Sequence, residues 1–147
     1  MLDAINRKIL LALQENARIS YAELAKRVHL SAPAVAERLR KLEEAGIIQG
    51  YGPRLNLDKL GFPILAWVQC KVFRAKEREF KALALATAEV VECHNVTGEQ
   101  AFLIKLATRS MAELDAVLER FCDLSDTNTM MILSTPVQRP LPDTFTS

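Results

Sequence analysis

The sequence predicts an α+β chain of two domains, a small helical one followed by a βαββαβ sandwich. Three observations carry that expectation. Apolar residues recur at helical spacing over residues 1–50, the period becomes two from Ile64 on, and four of the five glycines fall between Gly46 and Gly61, where one pattern yields to the other. The boundaries drawn from this are 1–50 for the helical domain, 51–62 for a hinge, 63–136 for the sandwich and 137–147 for a C-terminal tail.

In LDAINRKILLALQEN, Ile5, Ile9 and Leu13 share one stripe, with Leu10 at its edge, and Asp3 is placed to cap a helix from about Ala4 to Glu15. In SYAEL, Ser20 and Glu23 have the S-x-x-E spacing that satisfies orphan N–H groups at a helix start, and this short second helix ends near Val28. The third helix lies in LSAPAVAERLRKLEEAGII. Ser31 is its N-cap and bonds to the N–H of Ala34, because Pro33 has none to offer. Val35, Leu39 and Leu42 form the stripe to be buried, and Gly46 closes the helix in the left-handed conformation.

The run IIQGYGPRLNLDKLGFP reads as a short strand or wing followed by a linker. ILAWVQCKVF then alternates, with Ile64, Ala66, Val68, Cys70 and Val72 on a covered face and Leu65, Trp67, Gln69, Lys71 and Phe73 on a partly covered one. AKEREFKALALATA carries Phe80, Leu83 and Ala84 at helical spacing. VVECHNV and AFLIKLA read as strands flanking a turn at Gly98. SMAELDAVLERF repeats the cap with Ser110 and Glu113 above a stripe of Leu114, Val117, Leu118 and Phe121, and TMMILSTPV is the expected last strand. This order is the split βαβ of a ferredoxin-like sandwich, whose two helices leave one sheet face bare. That face is expected to be covered by a second copy of the chain.

The bulk numbers narrow the function classes. With 147 residues, half of them apolar, a core can form, while no uninterrupted apolar run approaches membrane-spanning length and no basic-then-apolar leader opens the chain, so a soluble, unexported protein is expected. Cys70, Cys93 and Cys122, spaced 23 and 29 apart, suit neither zinc ligation nor a paired disulfide framework and are expected to be reduced thiols. Cys93 beside His94 is a poor nucleophile–base pair, because adjacent strand residues point to opposite faces. With no phosphate loop, carboxylate pair or metal cluster either, no catalysis, cofactor or metal is expected. Net charge is +1, but residues 1–60 hold 10 Lys/Arg against 7 Asp/Glu and the remainder 9 against 11, so the front of the chain better suits a polyanion.

The outward side of the third helix collects Pro33, Ala34, Glu37, Arg40, Lys41 and Glu44, with Arg38 on a flank: small at its leading end, cationic further on. A helix, a short turn and a capped second helix of this kind form a helix-turn-helix, which places one helix in the major groove of double-stranded DNA. On this basis Pro33, Ala34, Glu37 and Arg38 lie nearest the bases. Lys26, Arg27, Arg40, Lys41 and Arg54 are mainly phosphate ligands, and Ser31 with the N–H groups behind it meets a phosphate at the positive helix terminus. The alternative is a plain three-helix bundle with a solvated charged side.

The stretch from LDAINRKILL to GIIQGY, followed by LG and then VTGE before a strand, resembles the Lrp/AsnC family, the feast/famine transcription regulators of bacteria and archaea. The resemblance spans about residues 2–136 and rests on the L-D start, R-I-S with E-L-A, the L-S cap, R-x-x-x-L-E-x-x-G-I-I-x-G-Y and V-T-G-E, all in the family's order. It implies an N-terminal winged helix-turn-helix joined by a hinge strand to a RAM/ACT-like amino-acid-sensing domain that pairs chains into dimers, often assembled into octamers. A cytoplasmic, nucleoid-associated regulator that is not an enzyme is the corresponding expectation. It also implies an effector turn at Thr97, Gly98, Glu99, Gln100 and Ala101, where Gly98 and the following N–H groups can hold an amino-acid carboxylate, although a plain hairpin turn would use Gly98 equally well. Two residues depart from the family. His29 stands where glycine is usual, so it is expected to be held at positive φ or the turn to be remodelled. Ala101 stands where ligand-binding members often carry an acidic residue, which keeps open an architectural, ligand-free DNA-binding protein as the alternative function.

Overall fold

A computed structural model describes residues 2–146. They form two compact units, one running from the N-terminus to Arg54 and including the stretch from Val137 on, the other Leu55–Pro136. The first unit holds α1 (Ala4–Glu15), α2 (Tyr21–Val28) and α3 (Ala32–Glu44). Each begins as its cap dictates: Asp3 accepts from the Asn6 N–H at 2.7 Å, Ser20 from Glu23 at 3.1 Å and Ser31 from Ala34 at 3.3 Å. Pro33 at the second helical position leaves Ala34 as the first donor Ser31 can reach. The stripes meet in one core in which Ile9, Leu24, Val28, Val35, Leu39 and Leu42 are buried.

The turns that end α2 and α3 pass through a left-handed residue, whereas α1 ends in extended backbone at Asn16. His29 sits at φ 56°, ψ 45°, as expected for a residue in the glycine position of the turn, and the Leu30 N–H closes onto the Ala25 carbonyl at 3.0 Å. Gly46, at φ +69°, lets Ile47 bond back to the Leu42 carbonyl at 2.9 Å. The expected strand after it does not form: residues 49–56 have neither helix nor strand. A strand exists only through a partner, and this unit is otherwise helical. The Tyr51 hydroxyl instead donates to Glu43 Oε1 at 2.8 Å and ties the segment to the end of α3. The tail is ordered against this unit. Arg7 Nη1 donates to the Phe145 carbonyl at 3.2 Å with its guanidinium 5.4 Å from that ring, and Arg139 pairs with Asp143.

The second unit runs β1 (Ile64–Val72), α4 (Glu77–Ala86), β2 (Val90–Asn95), β3 (Phe102–Thr108), α5 (Met111–Phe121) and β4 (Ser125–Met131). Its antiparallel sheet has the order β2-β3-β1-β4. Ala66, Val68 and Cys70 of β1 and Phe102, Ile104 and Leu106 of β3 meet Phe80, Ala84, Leu114, Val117 and Phe121 of the helices. Phe80 is the hinge of an aromatic trio, 4.9 Å from Phe102 and 5.4 Å from Phe121 between ring centroids. One expectation is corrected: the last strand is Ser125–Met131, not the stretch from Thr129 to Val137. Pairing of Ser125 with Val72 and of Met131 with Ala66 sets it, and only Ser125 of this edge strand is buried. A half-solvated polar run has no apolar alternation to read.

Candidate nucleic-acid interface

The buried stripe of α3 fixes which way its other residues point. At about 100° per residue, Glu37 falls opposite Val35, Leu39 and Leu42, whereas Arg38 falls on the flank facing α1. Ser31, Pro33, Glu37, Arg40, Lys41 and Glu44 are exposed and Ala34 is half-buried, so nothing within this unit covers the leading end of the helix. Small side chains there let the helix backbone approach a groove floor closely.

The expected basic stretch is, however, internally paired. Arg40 donates from Nε at 2.9 Å and Nη2 at 2.7 Å to the two oxygens of Glu37, and through Nη1 to Glu44. Lys41 Nζ stands 3.5 Å from Glu37. The hydrogen bonds from Arg40 hold the Glu37 carboxyl at about 2, well below the usual carboxylate range, and reciprocally hold the Arg40 guanidinium charged. Two glutamates thus balance two cations, and this side of α3 is a neutral mosaic rather than a cationic stripe.

Arg38, expected near the bases, is turned toward α1. Its Nη1 donates to Asp3 Oδ2 at 2.7 Å and to Asn6 Oδ1 at 2.9 Å. Arg27 pairs with Glu15 at 2.8 Å. Lys26 and Arg54 are exposed and, among the described residues, have no carboxylate within ion-pair reach. At the helix start, Ser31 occupies the Ala34 N–H and the Ser31 carbonyl that of Val35 at 3.1 Å, while Pro33 has none. The amide of Ala32 is the first-turn donor left to face a phosphate. Sequence reasoning missed two supports of this helix, the Asp3–Asn6 acceptor pair and Tyr51. The phenol of Tyr51 is pushed up to about 12 by burial and by Glu43. Asp3 and Arg38 are 35 positions apart and carry no local signal; the G-Y that follows G-I-I was the available hint for Tyr51.

In the second unit, the turn from Thr97 to Ala101 joins β2 to β3. Gly98 is at φ +102° and the Val96 N–H bonds to the Ala101 carbonyl at 2.8 Å. Thr97, Gly98 and Glu99 are exposed, Gln100 and Ala101 half-buried, and Lys71 stands 3.9 Å from Glu99. Cys93 and His94 do point apart, His94 pairing with Glu92 at 2.9 Å. Among the described residues no group of three or more His, Cys, Asp or Glu could hold a metal ion, and no helix is long and apolar enough to cross a membrane.

On the open sheet face, Trp67 is flanked by Lys105, whose Nζ lies 5.4 Å from its ring, and by His94 at 6.1 Å between centroids. Gln69 accepts from Asn128 at 3.1 Å. The face is therefore mixed, with Trp67 lying among Lys105, His94 and the Gln69–Asn128 pair.

Comparison with known proteins agrees with both units. Residues 2–49 match a winged helix-turn-helix DNA-binding family, and residues 65–142 match the Lrp/AsnC ligand binding domain. The leucine-responsive regulatory proteins of Haemophilus influenzae and Rhizobium meliloti are similar to the chain. The first is 39% identical over 90% of this chain and 84% of its own, the second 38% over 91% and 88%. Among solved structures, LrpC of B. subtilis superimposes with a TM-score of 0.89 at 28% identity, covering 95% of this chain and 99% of its own. A transcriptional regulator of Neisseria meningitidis in complex with L-Met gives 0.89 at 28% identity, covering 97% of each chain. These relatives are named as regulators, which does not favour the architectural alternative. With a winged helix-turn-helix over its first third and the family's ligand-binding domain over its second half, the chain belongs to the Lrp/AsnC family of DNA-binding transcriptional regulators.

Proposed function

We propose that the protein binds specific duplex sites as a symmetric dimer, α3 of each copy entering a major groove, and that an amino acid modulates this binding through the turn at Thr97–Ala101. The observation that carries the DNA reading is the uncovered leading end of α3, where Ser31, Pro33 and Ala34 bring the backbone to the surface over a fully buried stripe. Pro33, Ala34 and Glu37 face the bases in this arrangement. Lys26, Arg27, Lys41 and Arg54 are phosphate ligands, and Arg38 supports the helix from behind. Two such helices related by a two-fold axis meet half-sites about 34 Å apart.

A gel-shift titration across salt concentration tests the DNA contact with Lys26→Ala and Arg54→Ala. Each cation lost from a phosphate should weaken binding to every sequence alike and lower the salt slope by about one. Unchanged affinity in the double variant would exclude this docking.

The amino-acid reading is supported by the match to the ligand binding domain and by Gly98, whose positive φ suits a turn in which successive N–H groups can gather an anion. Titration calorimetry against a panel of free amino acids is the test. Heat from at least one, abolished in Gly98→Val, is the expected result; silence from all of them would count against sensing.

A further inference from the structure

We propose that Glu37 reads a base: its carboxylate selects an amino-bearing base, cytosine foremost, at one position of each half-site, with Arg40 as the residue that positions it. This rests on the DNA reading above and adds the chemistry that decides which sequence is chosen.

The side chain lies opposite the buried stripe, one turn beyond Pro33 and Ala34, where a helix lying in the major groove presents its residues to base edges. Both of its oxygens are held, by Nε and Nη2 of Arg40 at 2.9 and 2.7 Å, and Arg40 is itself anchored on its far side by Glu44. The carboxylate is therefore oriented by a planar fork instead of swinging freely, and each oxygen keeps lone pairs for a further donor. Arg40 places three of its five N–H donors on Glu37 and Glu44 and so stays beside the reading group, which is the work of a positioning residue rather than a phosphate ligand.

An ionised carboxylate only accepts hydrogen bonds. In the major groove, guanine shows it two acceptors, N7 and O6, and thymine shows O4, all repulsive. Cytosine offers the N4 amino group. Adenine offers N6 beside the acceptor N7 and is second best. By neutralising cations that would otherwise attract phosphate, Glu37 contributes discrimination at the expense of non-specific affinity. The competing explanation is a solvated i,i+3 and i,i+4 ion-pair cluster that does no more than favour the helix, an effect of small size. The two differ in what happens to sequence preference.

Selection from a randomised duplex pool separates them, using the full chain and its Glu37→Ala, Glu37→Gln, Arg40→Ala and Glu44→Gln variants, each checked for helical content by circular dichroism. The wild type should enrich cytosine at one symmetric position, and changing that base to guanine should weaken binding about tenfold, the order of a single good base contact. Glu37→Ala should bring that ratio near one. Glu37→Gln should shift the preference to adenine, which a carboxamide can pair with at N6 and N7. Arg40→Ala should relax the same position and leave the others intact, whereas Glu44→Gln should retain the cytosine. An unchanged selected sequence in Glu37→Ala, or a uniform gain in affinity for every duplex, would overturn the inference. A wild type that enriches no sequence and shifts no duplex would overturn the DNA reading itself, a distinct result.

Discussion

Arg38 Nη1 and Asp3 Oδ2 are 2.7 Å apart, joining the middle of α3 to the residue that caps α1. Asp3 has two tasks, accepting the Asn6 N–H and receiving Arg38, and both hold its carboxyl below the ordinary range. A carboxyl whose pKa is lowered on folding adds stability that is complete above its unfolded value, about 4, and is lost as pH falls through the folded one. Asp3→Asn should therefore lower the melting temperature of the helical unit by a roughly constant amount at neutral pH, and the gap from wild type should shrink below about pH 4. Thermal melts followed at several pH values measure this. A gap that stays constant down to pH 2 would show that the carboxylate charge plays no part.

At His29 the chain holds an L side chain in the left-handed region, at φ 56°. Glycine avoids that strain but gains freedom in the unfolded chain, so His29→Gly is expected to stabilise the unit by about 0.5–1 kcal/mol net. His29→Val, β-branched at the same φ, should destabilise it. Urea denaturation of the three proteins gives the order.

Phe80 is fully buried between Phe102 and Phe121. Removal of its ring leaves a cavity under the sheet, and Phe80→Ala should cost about 3–5 kcal/mol in the second unit. Calorimetric scans should show the corresponding transition moving to lower temperature or disappearing.

Trp67 stands at the centre of the open sheet face, with Lys105 and His94 against its ring. Its ring is the largest apolar group a second copy could bury there, so Trp67→Ala is expected to shift the protein toward monomers while keeping its strand content. Sedimentation velocity alongside circular dichroism distinguishes this from unfolding. A dimer of unchanged affinity would place the contact elsewhere.

Burial pushes the Cys70 thiol up to about 12, while Cys93 and Cys122 are exposed. The thiolate is the reactive form. An aromatic disulfide reagent at pH 8 should therefore modify two thiols in the native protein and the third only on unfolding.

Much of this architecture was legible in the chain because it rests on local chemistry. Ser20, Ser31 and Ser110 each stand one residue before a helix, and in each case the hydroxyl accepts the N–H three residues on. The alternation from Ile64 to Val72 follows from the pleat, which sends neighbours to opposite faces. The last strand was misplaced because Ser125–Met131 is polar, exposed and fixed by its partner's register, none of which leaves a pattern in its own residues. A short strand or wing was anticipated because the glycines and prolines after Gly46 argue against another helix, yet among the described residues of the helical unit no second strand meets it.

The outward side of α3 shows where sequence stops. Its order alone determined that Glu37, Arg40, Lys41 and Glu44 share one side of a helix, since 3.6 residues per turn leaves no alternative once Val35, Leu39 and Leu42 are buried. The same period puts Glu37 and Glu44 within reach of Arg40, at i,i+3 and i,i+4, whereas only the folded arrangement decided that Arg38 turns from that side to reach Asp3, 35 residues earlier. Backbone period and caps act between neighbours and are written in the chain. The partner Arg38 chooses depends on which carboxylate the packing of α1 against α3 brings within 3 Å.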